Sequence, residues 1–245
     1  MQLKANLHLH TNDDPEDLVT YSIYDAIDAA ALHGFDVLAI TCHNRCAWCP
    51  AYAHYAQKRG IVLLSGIEAT LSEKPKQKGR HVLLLGVDQS AEKLRTFNDL
   101  AAYRATHPEM VVIAPHPFFD PFLSLQSWTE RYIELFDAIE HAWFYSRWCN
   151  RNKKALQLAD KYQKPVVATS DTHFLDYLPD HYTYIETTER TSKAVLAAIK
   201  TGHVQYHTRP HAFWREMIWP QTRFTLRTLL WRTGLYRPST TEMNT

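Results

Sequence analysis

Short apolar runs alternate with longer amphipathic segments over most of the chain. Runs of strand length recur at 36–41, 61–65, 81–86, 110–114, 138–140 and 165–169. The intervening segments carry apolar residues three or four positions apart, which is helical spacing; one of them, 22–33, ends before Gly34. Strands alternating with helices predict a parallel β/α architecture. Together with a first short strand at 6–11 these runs give about seven strands, a number that favours a barrel over an open sheet.

The stretch 6–11 predicts a first short strand that carries two histidines on one face. Because side chains alternate along a strand, His8 and His10 point the same way, and Leu7 and Leu9 point the opposite way into apolar packing. Two imidazoles held like this can share one metal ion, although the pattern alone is a weak signal.

Most of the remaining polar residues with metal-ligand chemistry lie where a predicted strand ends. Barrels of β/α units place their chemistry at the carboxyl ends of the strands, so side chains from separate strands would meet at one mouth. The residues at or just beyond strand ends are His43, Glu68, His116, Asp171 and His173. His8, His10 and His81 lie on strands and could point inward to the same place.

Composition adds one unusual number to this picture. Fourteen of the 245 residues are histidine, the commonest metal ligand, whereas a net charge of +1 gives no general attraction to nucleic acid or anionic lipid. The first residues lack the apolar region of a signal peptide, and no run of about 18 apolar residues occurs. We therefore expect no membrane span and a cytoplasmic location.

Seven short motifs, in order between residues 3 and 175, resemble the PHP family, named for polymerase and histidinol phosphatase. They are His8-Leu9-His10-Thr11, Thr41-Cys42-His43-Asn44, Gly66-Ile67-Glu68, His81-Val82-Leu83, Pro115-His116-Pro117, Ile139-Glu140 and Ser170-Asp171-Thr172-His173. The resemblance implies a distorted TIM-like (β/α)7 barrel with two or three divalent metal ions at the carboxyl mouth of its strands. Phosphoester hydrolysis is the activity it most commonly implies.

The resemblance also implies which residues hold each ion. The first ion would be held by His8, His10, Glu68 and Asp171. Glu68 would bridge to a second ion, whose other ligands would be His81 and His116. The third would lie between Asp17, His43 and His173.

Three positions depart from the family's usual pattern. The acidic loop contains Asp14-Pro15-Glu16-Asp17 where the family usually has Ser-Asp-Gly, so Asp14 competes with Asp17 as the loop ligand. Cys42 stands where the family usually has Asp, and the third ion would be held more weakly if that Asp orients a ligand. His141 adds an imidazole beside Glu140 that could be a ligand, an acid or a packed side chain.

The ligand types suit Zn, Mn or Fe, and clustered divalent ions generate a metal-bound hydroxide that can attack phosphorus. His173 or His141 could protonate the leaving alkoxide. One of three arginines could clamp the phosphate, namely Arg45, Arg80 or Arg147. The predicted function is therefore a metal-dependent hydrolase of a small phosphorylated substrate, either a phosphomonoester or a small phosphodiester.

Two other functions stay open at this point. A PHP-type exonuclease on nucleic-acid ends is the alternative enzyme, and nucleic acid is thus a possible but not favoured partner. A metal-binding regulatory domain without turnover is the second alternative, although nine retained polar ligands argue against it. The oligomeric state does not follow from the sequence.

Cys42, Cys46 and Cys49 offer a competing interpretation. Their CxxxCxxC spacing resembles the cluster motif of radical S-adenosylmethionine enzymes, and short cysteine spacing also marks structural zinc. The motif overlaps His43 and leaves the other six PHP-like motifs unexplained, so we favour the histidine and carboxylate site.

We predict a barrel over 1–205 and a carboxyl-terminal extension over 206–245. Six arginines are interleaved with aromatic residues in this extension, a mixture that can bind single-stranded nucleic acid or a membrane surface. Its apolar residues do not form one helical face, so we favour a helix packed on the barrel or on a second subunit.

Overall fold

The computed structural model describes residues 1–238; residues 239–245, which end the predicted extension, lie outside the described residues. Its strands are β1 Gln2–Asn6, β2 Val37–Ile40, β3 Val62–Leu71, β4 Arg80–Leu85, β5 Val111–Ala114, β6 Ala138–His141, β7 Val166–Ala168, β8 Tyr182–Glu186 and β9 Val204–His207. These strands form one sheet in the order β7-β6-β5-β4-β3-β2-β1-β8-β9.

The helices alternate with the strands as the periodicity predicts. They are α1 Ile23–Leu32, α2 Pro50–Lys58, α3 Phe97–Thr106, α4 Ser127–Arg131, α5 Asn152–Lys161, α6 Ser192–Lys200 and α7 Trp219–Arg232, with a π-helical turn at Phe213–Ile218 before α7. Three short 3-10 helices lie at Gln89–Lys93, Ile133–Leu135 and Leu175–Tyr177. Within residues 1–238, none of the helices has the length and apolar character needed to cross a bilayer.

The predicted β/α barrel class is confirmed. Two details are corrected, namely the number of strands and the expectation that all of them run parallel. The sheet has nine strands rather than seven, and β4 runs antiparallel to both β3 and β5. The connection 72–79 between β3 and β4 is too short for the crossover of a dozen or more residues that parallel neighbours need. The reversal brings the first residues of β4 to the end of the barrel where parallel strands finish.

The barrel is nearly closed, and the last junction is made by loops and a side chain. The Thr183 hydroxyl bridges β8 to β7 by accepting from Ala168 N and donating to Ala168 O, both at 2.9 Å. At the mouth, His10 N donates to Thr172 O at 3.1 Å, and Thr172 N donates to His8 O at 3.3 Å. Since β1 ends at Asn6, the two histidines follow the strand rather than lying on it, which corrects the predicted first strand.

Side chains alternate between the barrel interior and its outer surface. In β2, Val37 and Ala39 face the interior, whereas Leu38 and Ile40 pack with residues of α1 and α2. Helix α6 contributes Val195 and other apolar residues to the interior cluster, away from the polar mouth. Full burial of each large apolar side chain contributes about 1.5–3 kcal/mol, so this pattern fixes the strand register and leaves only one end for polar chemistry.

Gly66 allows β3 to pass close to its neighbours just before Glu68. A Cβ at this position would lie 2.8 Å from Thr41 Cγ2 and 2.9 Å from Leu84 O. Such distances are shorter than real Cβ contacts, so a larger residue would push β3 away from β2 or β4. The motif Gly66-Ile67-Glu68 therefore has a packing reason as well as a chemical one.

The described part of the extension contacts the barrel beside its mouth. Leu18 N donates to Thr228 Oγ1 of α7 at 3.3 Å, and Arg232 Nε donates to Glu16 O at 2.6 Å. The Phe224 ring meets the His173 ring at a centroid distance of 4.8 Å. Helix α7 thus forms one wall of the mouth.

Candidate functional site

Glu68 is the centre of a buried polar cluster, with 1% of its surface exposed. Five imidazoles face its two carboxylate oxygens. The distances to Oε2 are 3.1 Å from His8 Nε2, 3.3 Å from His10 Nε2 and 3.1 Å from His43 Nε2, and those to Oε1 are 2.8 Å from His81 Nδ1 and 2.9 Å from His116 Nε2. One carboxylate thus joins five rings from four separate parts of the chain.

The strand pattern explains how two of these residues reach the mouth. Glu68 follows Leu64 by four residues in β3, so both side chains lie on the same face of the strand. Leu64 packs in the barrel interior. His81 has the parity of Leu83 and Leu85, and because β4 is antiparallel its first residues lie at the mouth. The sequence alone does not show this reversal.

Asp171 completes one side of the cluster. Its Oδ1 lies 3.5 Å from His8 Nε2 and 3.3 Å from His10 Nε2. Asp171 has φ 44°, and His116 and Asn44 near the same cluster have φ 38° and 52°. Left-handed backbone is unfavourable for residues other than glycine and concentrates at functional sites, where the surrounding structure holds it.

Asp14 lies behind two of the rings. Its Oδ2 accepts from Nδ1 of His10 at 2.8 Å, from Nδ1 of His43 at 2.9 Å and from His43 N at 2.8 Å. Its Oδ1 accepts from the backbone amides of Glu16 and Asp17 at 2.8 and 2.9 Å. Asp14 therefore fixes the Nδ1 side of both rings and leaves each Nε2 facing Glu68, which is the arrangement of a residue that orients ligands.

Asp17 instead lies beside His173. Its Oδ2 is 3.1 Å from His173 Nε2 and 4.0 Å from His43 Nδ1. His173 stacks on His10 at a centroid distance of 4.3 Å, and its Nδ1 donates to Asp171 O at 2.9 Å. Of the two competing loop carboxylates, Asp17 is therefore the one beside His173, whereas Asp14 contacts His10 and His43.

Glu140 has a role toward His8 and His116 like that of Asp14 toward the other rings. Its Oε1 lies 3.3 Å from His8 Nδ1 and accepts from the Thr169 hydroxyl, and its Oε2 accepts from His116 N at 2.8 Å. Glu140 is 1% exposed. Two buried carboxylates behind the cluster thus set the orientation of its histidines.

The cluster strongly shifts the pKa values of its histidines. Burial alone lowers the pKa of His8, but Asp171 and Glu68 more than offset it and raise the pKa to about 10. The pKa of His43 is raised to about 10 in the same way, against burial, mainly by Glu68. His81 differs, because burial outweighs the attraction of Glu68 and its pKa is lowered.

The carboxylates shift in the opposite direction. Burial raises the pKa of Glu68, but His81, His8 and other neighbouring rings hold it well below its usual range. The pKa of Asp14 is lowered by its hydrogen bonds from His10 and His43, again against burial. His8 and His43 therefore keep their protons among ionised carboxylates unless a competing cation displaces those protons.

The donor atoms fit divalent metal ions. Three groups each have ligand atoms within 4.8 Å of one another, namely His8, His10, Glu68 and Asp171; His43, Glu68 and His81; and His10, His43 and His173. Two ligands bound at about 2.1 Å and at right angles to each other would lie about 3 Å apart. The Nε2 atoms of His8 and His10 are 3.2 Å apart, which fits two ligands of one ion.

The structure brings all nine predicted ligands to this mouth, although whether they bind metal stays a prediction. The predicted acid His141 does not join them, because it is next to Glu140 on β6 and its side chain therefore lies on the opposite face of the strand. Its ring stacks on Tyr206 at 5.7 Å, and burial lowers its pKa to about 4. Its position outside the cluster does not support its predicted catalytic role, which stays a prediction.

The predicted phosphate clamp Arg45 also lies away from the cluster. Its side chain is 53% exposed and pairs with Asp13, with NH1 donating to Asp13 O at 3.2 Å. It does not line the cleft that opens above the cluster. A contact between this arginine and a phosphate in that cleft is not supported by its position.

The cleft above the cluster, which we name the metal-facing cleft, has a volume of about 120 Å³. Its lining includes residues that the sequence motifs do not identify. Its apolar wall comes from Phe119, Leu123, Trp143 and Phe224. These residues have no chemical motif, and Phe224 comes from the extension, so only the tertiary structure could identify them. No lysine or arginine of residues 1–238 lines this cleft.

The cysteines do not gather into a ligand group. Cys42 Sγ lies 3.5 Å from Thr11 Oγ1, and Cys46 Sγ contacts Val87 O at 3.8 Å. Among the described residues, no cysteine belongs to any of the three candidate metal groups. Neither an iron–sulfur cluster nor a structural zinc site at these cysteines gains support.

A family model described as PHP-associated matches residues 150–204, which include α5, β7, β8 and α6. No curated protein matches the chain at a significant level. The matched segment supplies Asp171 and His173 of the cluster.

Solved structures share the fold. A two-domain protein from Bacteroides vulgatus ATCC 8482, containing a predicted PHP-like metal-dependent phosphoesterase, matches with TM-score 0.65 and 19% identity over 85% of this chain and 65% of that one. PsfC from Pseudomonas syringae PB-5123 matches with TM-score 0.55 and 14% identity over 96% and 99%. The lesion-specific endonuclease EndoQ from Pyrococcus furiosus matches with TM-score 0.57 and 17% identity over 84% and 58%. This chain thus spans less than two thirds of the first and third proteins.

Proposed function

We propose that this chain, whose barrel is similar to those of PHP-like proteins, is a hydrolase of phosphate esters that uses divalent metal ions at the mouth of the barrel. The observation that carries this proposal is the convergence of five imidazoles on the two oxygens of Glu68. Such a buried set of nitrogen and oxygen donors suits Zn, Mn or Fe.

Two or three ions would be held by the three ligand groups described above. Glu68, His10 and His43 each belong to two of these groups and so link them. His116 would add a ligand on the Oε1 side of Glu68, and Asp17 would add one beside His173. When bound, such ions lower the pKa of a water molecule and stabilise negative charge on a phosphoryl oxygen.

The protein's own groups would position the ester and exclude bulk water. Phe119, Trp143 and Phe224 form an apolar wall beside the cluster, which favours a dry site in which electrostatic interactions are strong. When only the two groups that contain Glu68 hold ions, His173 is not a ligand, and its Nε2, which lies in the cleft beside Asp17, would hold the proton for the leaving oxygen.

The lining of the cleft indicates how the anionic substrate would be held. Since no lysine or arginine among the described residues lines it, the charge of the phosphate would be met by the ions and by histidines. The volume of about 120 Å³ favours a small group such as a terminal phosphate at the cluster. Substrate binding should therefore depend strongly on the metal.

Glu68→Gln tests the proposal, with Glu134→Gln as a matched control on an exposed residue. Protein purified without chelator would be analysed for bound metal and assayed with p-nitrophenyl phosphate and its bis ester, with and without added Mn²⁺ or Zn²⁺. We expect bound metal and metal-stimulated hydrolysis in the wild type and the control, and loss of at least about 100-fold of the activity in Glu68→Gln.

Two results would contradict the proposal in different ways. Bound metal without hydrolysis of either ester under any metal condition would favour a regulatory metal-binding domain. Full activity in Glu68→Gln would show that the reactive centre lies elsewhere.

A further inference from the structure

A second and larger cleft, about 930 Å³ in volume, lies apart from the metal cluster. One wall is the segment 147–149, which follows β6, and the other is the segment 209–216, which precedes α7. We name it the arginine–tryptophan cleft, after its residues Arg147, Trp148, Arg209, Trp214 and Arg215. Its volume lies in the range of about 300–1,000 Å³ that is usual for small-molecule sites.

The two walls are fixed in place before any ligand binds. His211 N donates to Tyr145 O at 2.9 Å, and the Tyr145 hydroxyl donates to Thr208 Oγ1 at 2.8 Å. In the first wall, Ser146 N donates to Cys149 O at 2.8 Å, and Cys149 N donates back to Ser146 Oγ at 3.0 Å. A tight turn therefore presents Arg147 and Trp148 to the cleft, and binding of a ligand would require little ordering of this wall.

Its exposed surface combines aromatic faces with positive charge. Trp148 is 92% exposed and Trp214 is 73% exposed, which is unusual for tryptophan on a free surface. The exposed side chain of Arg147 makes no hydrogen bond or ion pair with any of residues 1–238, so its guanidinium is available. Among residues 1–238, the lining contains three arginines and a single acidic residue, Glu216.

The charges of the other two arginines are partly used. Arg209 is held by both oxygens of Asp180 at 2.7 Å and by Glu216 at 3.1 Å, and Arg215 contacts Glu216 at 3.1 Å. Arg209 therefore braces the second wall, while Arg147 and the exposed Arg215 carry the charge available to a ligand. Indole faces beside guanidinium groups are the combination that binds a nucleobase and its phosphate.

One ring contact links the wall of this cleft to the wall of the metal-facing cleft. The Trp143 ring lines the metal-facing cleft and meets the ring of His211, a lining residue of the arginine–tryptophan cleft, edge to face at 5.6 Å. We propose that the arginine–tryptophan cleft binds a nucleotide unit of the substrate, with the base against Trp148 or Trp214 and its phosphate at Arg147. This rests on the proposed phosphoesterase function and gives it a substrate class: an ester that contains a nucleotide.

Calorimetric titration of metal-stripped protein tests the cleft without requiring turnover. The probes are adenosine 5′-monophosphate, ribose 5-phosphate and a 5′-phosphorylated hexamer of deoxyadenylate, and the variants are Trp148→Ala, Trp214→Ala and Arg147→Gln. Trp219→Ala is the matched control, because Trp219 is 64% exposed but does not line this cleft.

We expect the adenine nucleotide to bind at least tenfold more tightly than ribose 5-phosphate, which lacks the base. At least one tryptophan variant should weaken it about 5- to 150-fold, the range for loss of base stacking. Arg147→Gln should weaken all three probes, and Trp219→Ala none. Tighter and more salt-dependent binding of the hexamer identifies a single strand as the source of the nucleotide, and equal binding identifies a free nucleotide.

Equal affinities for adenosine 5′-monophosphate and ribose 5-phosphate, or unchanged nucleotide binding in both tryptophan variants, would overturn this inference. Hydrolysis of p-nitrophenyl phosphate tests the proposed function separately, and it should be unchanged in the control Trp219→Ala. If the wild type fails to hydrolyse that ester with any metal, the proposed function fails while the binding result still stands.

Discussion

His10 and Asp14, four residues apart in the acidic loop, are joined by a 2.8 Å hydrogen bond from Nδ1 to Oδ2. The same oxygen accepts from His43, so one carboxylate orients two rings toward Glu68. The cluster therefore depends on a residue that need not touch a metal itself.

Asp14→Asn should weaken metal binding without removing it. The amide keeps the size of the carboxylate but loses the charge and one acceptor, so both rings are held less firmly. We expect metal affinity to fall about 10- to 100-fold, as is usual when a residue that orients ligands is replaced. Titration with Mn²⁺ measures the effect, and Asp13→Asn at the neighbouring position is the control. An unchanged affinity would mean that the orientation of the rings does not depend on Asp14.

Metal affinity should rise with pH. The pKa values of His8 and His43 are raised to about 10, so both rings keep a proton at neutral pH and must lose it to coordinate an ion. Raising the pH toward 10 removes that competition, and lowering it strengthens the competition. We expect the Mn²⁺ dissociation constant to fall about tenfold per pH unit for each proton displaced between pH 7 and 9. Proton release measured in two buffers gives an independent count, and a pH-independent affinity would contradict this.

His173→Ala and His141→Phe should separate the two predicted acids. His173 lies in the metal-facing cleft, so its loss should lower kcat about 100-fold or more. His141 packs against Tyr206 outside the cluster, so a phenyl ring there should keep kcat within about threefold. The measurement is kcat with p-nitrophenyl phosphate on protein shown to be folded by circular dichroism. A large loss in His141→Phe alone would restore the original assignment.

Phe224→Ala should open the wall that α7 provides. The ring is 9% exposed and packs against His173 and Phe174, so its removal should lower the free energy of unfolding by about 3 kcal/mol, the low end for a buried Phe→Ala change. KM for a small ester should rise because the cleft admits water. Leu226→Ala on the same helix is the control, since Leu226 is 55% exposed and should change stability by no more than about 0.5 kcal/mol. Equal effects of both variants in denaturant unfolding would show that α7 does not wall the site.

Periodicity was sufficient for the β/α class and for most helices, because apolar burial acts locally and leaves a regular pattern. The capped helix that begins after Ser22 and ends before Gly34 is an example, with both boundaries carried by residue type. The motifs also identified Glu68 and the histidines around it as candidates, since few other roles need buried carboxylates and imidazoles together.

Tertiary structure alone decided how those candidates are divided. Sequence reasoning could not choose between Asp14 and Asp17, because both lie in the same loop and differ only in which rings they meet. It placed His141 in the site, because parity on β6 becomes meaningful only once the interior face is known. It missed Trp143 and Phe224, whose positions beside the cluster result from long-range packing. Residue types determined the chemistry available to this protein, whereas the direction of β4 and the docking of α7 determined which of those groups share one cavity.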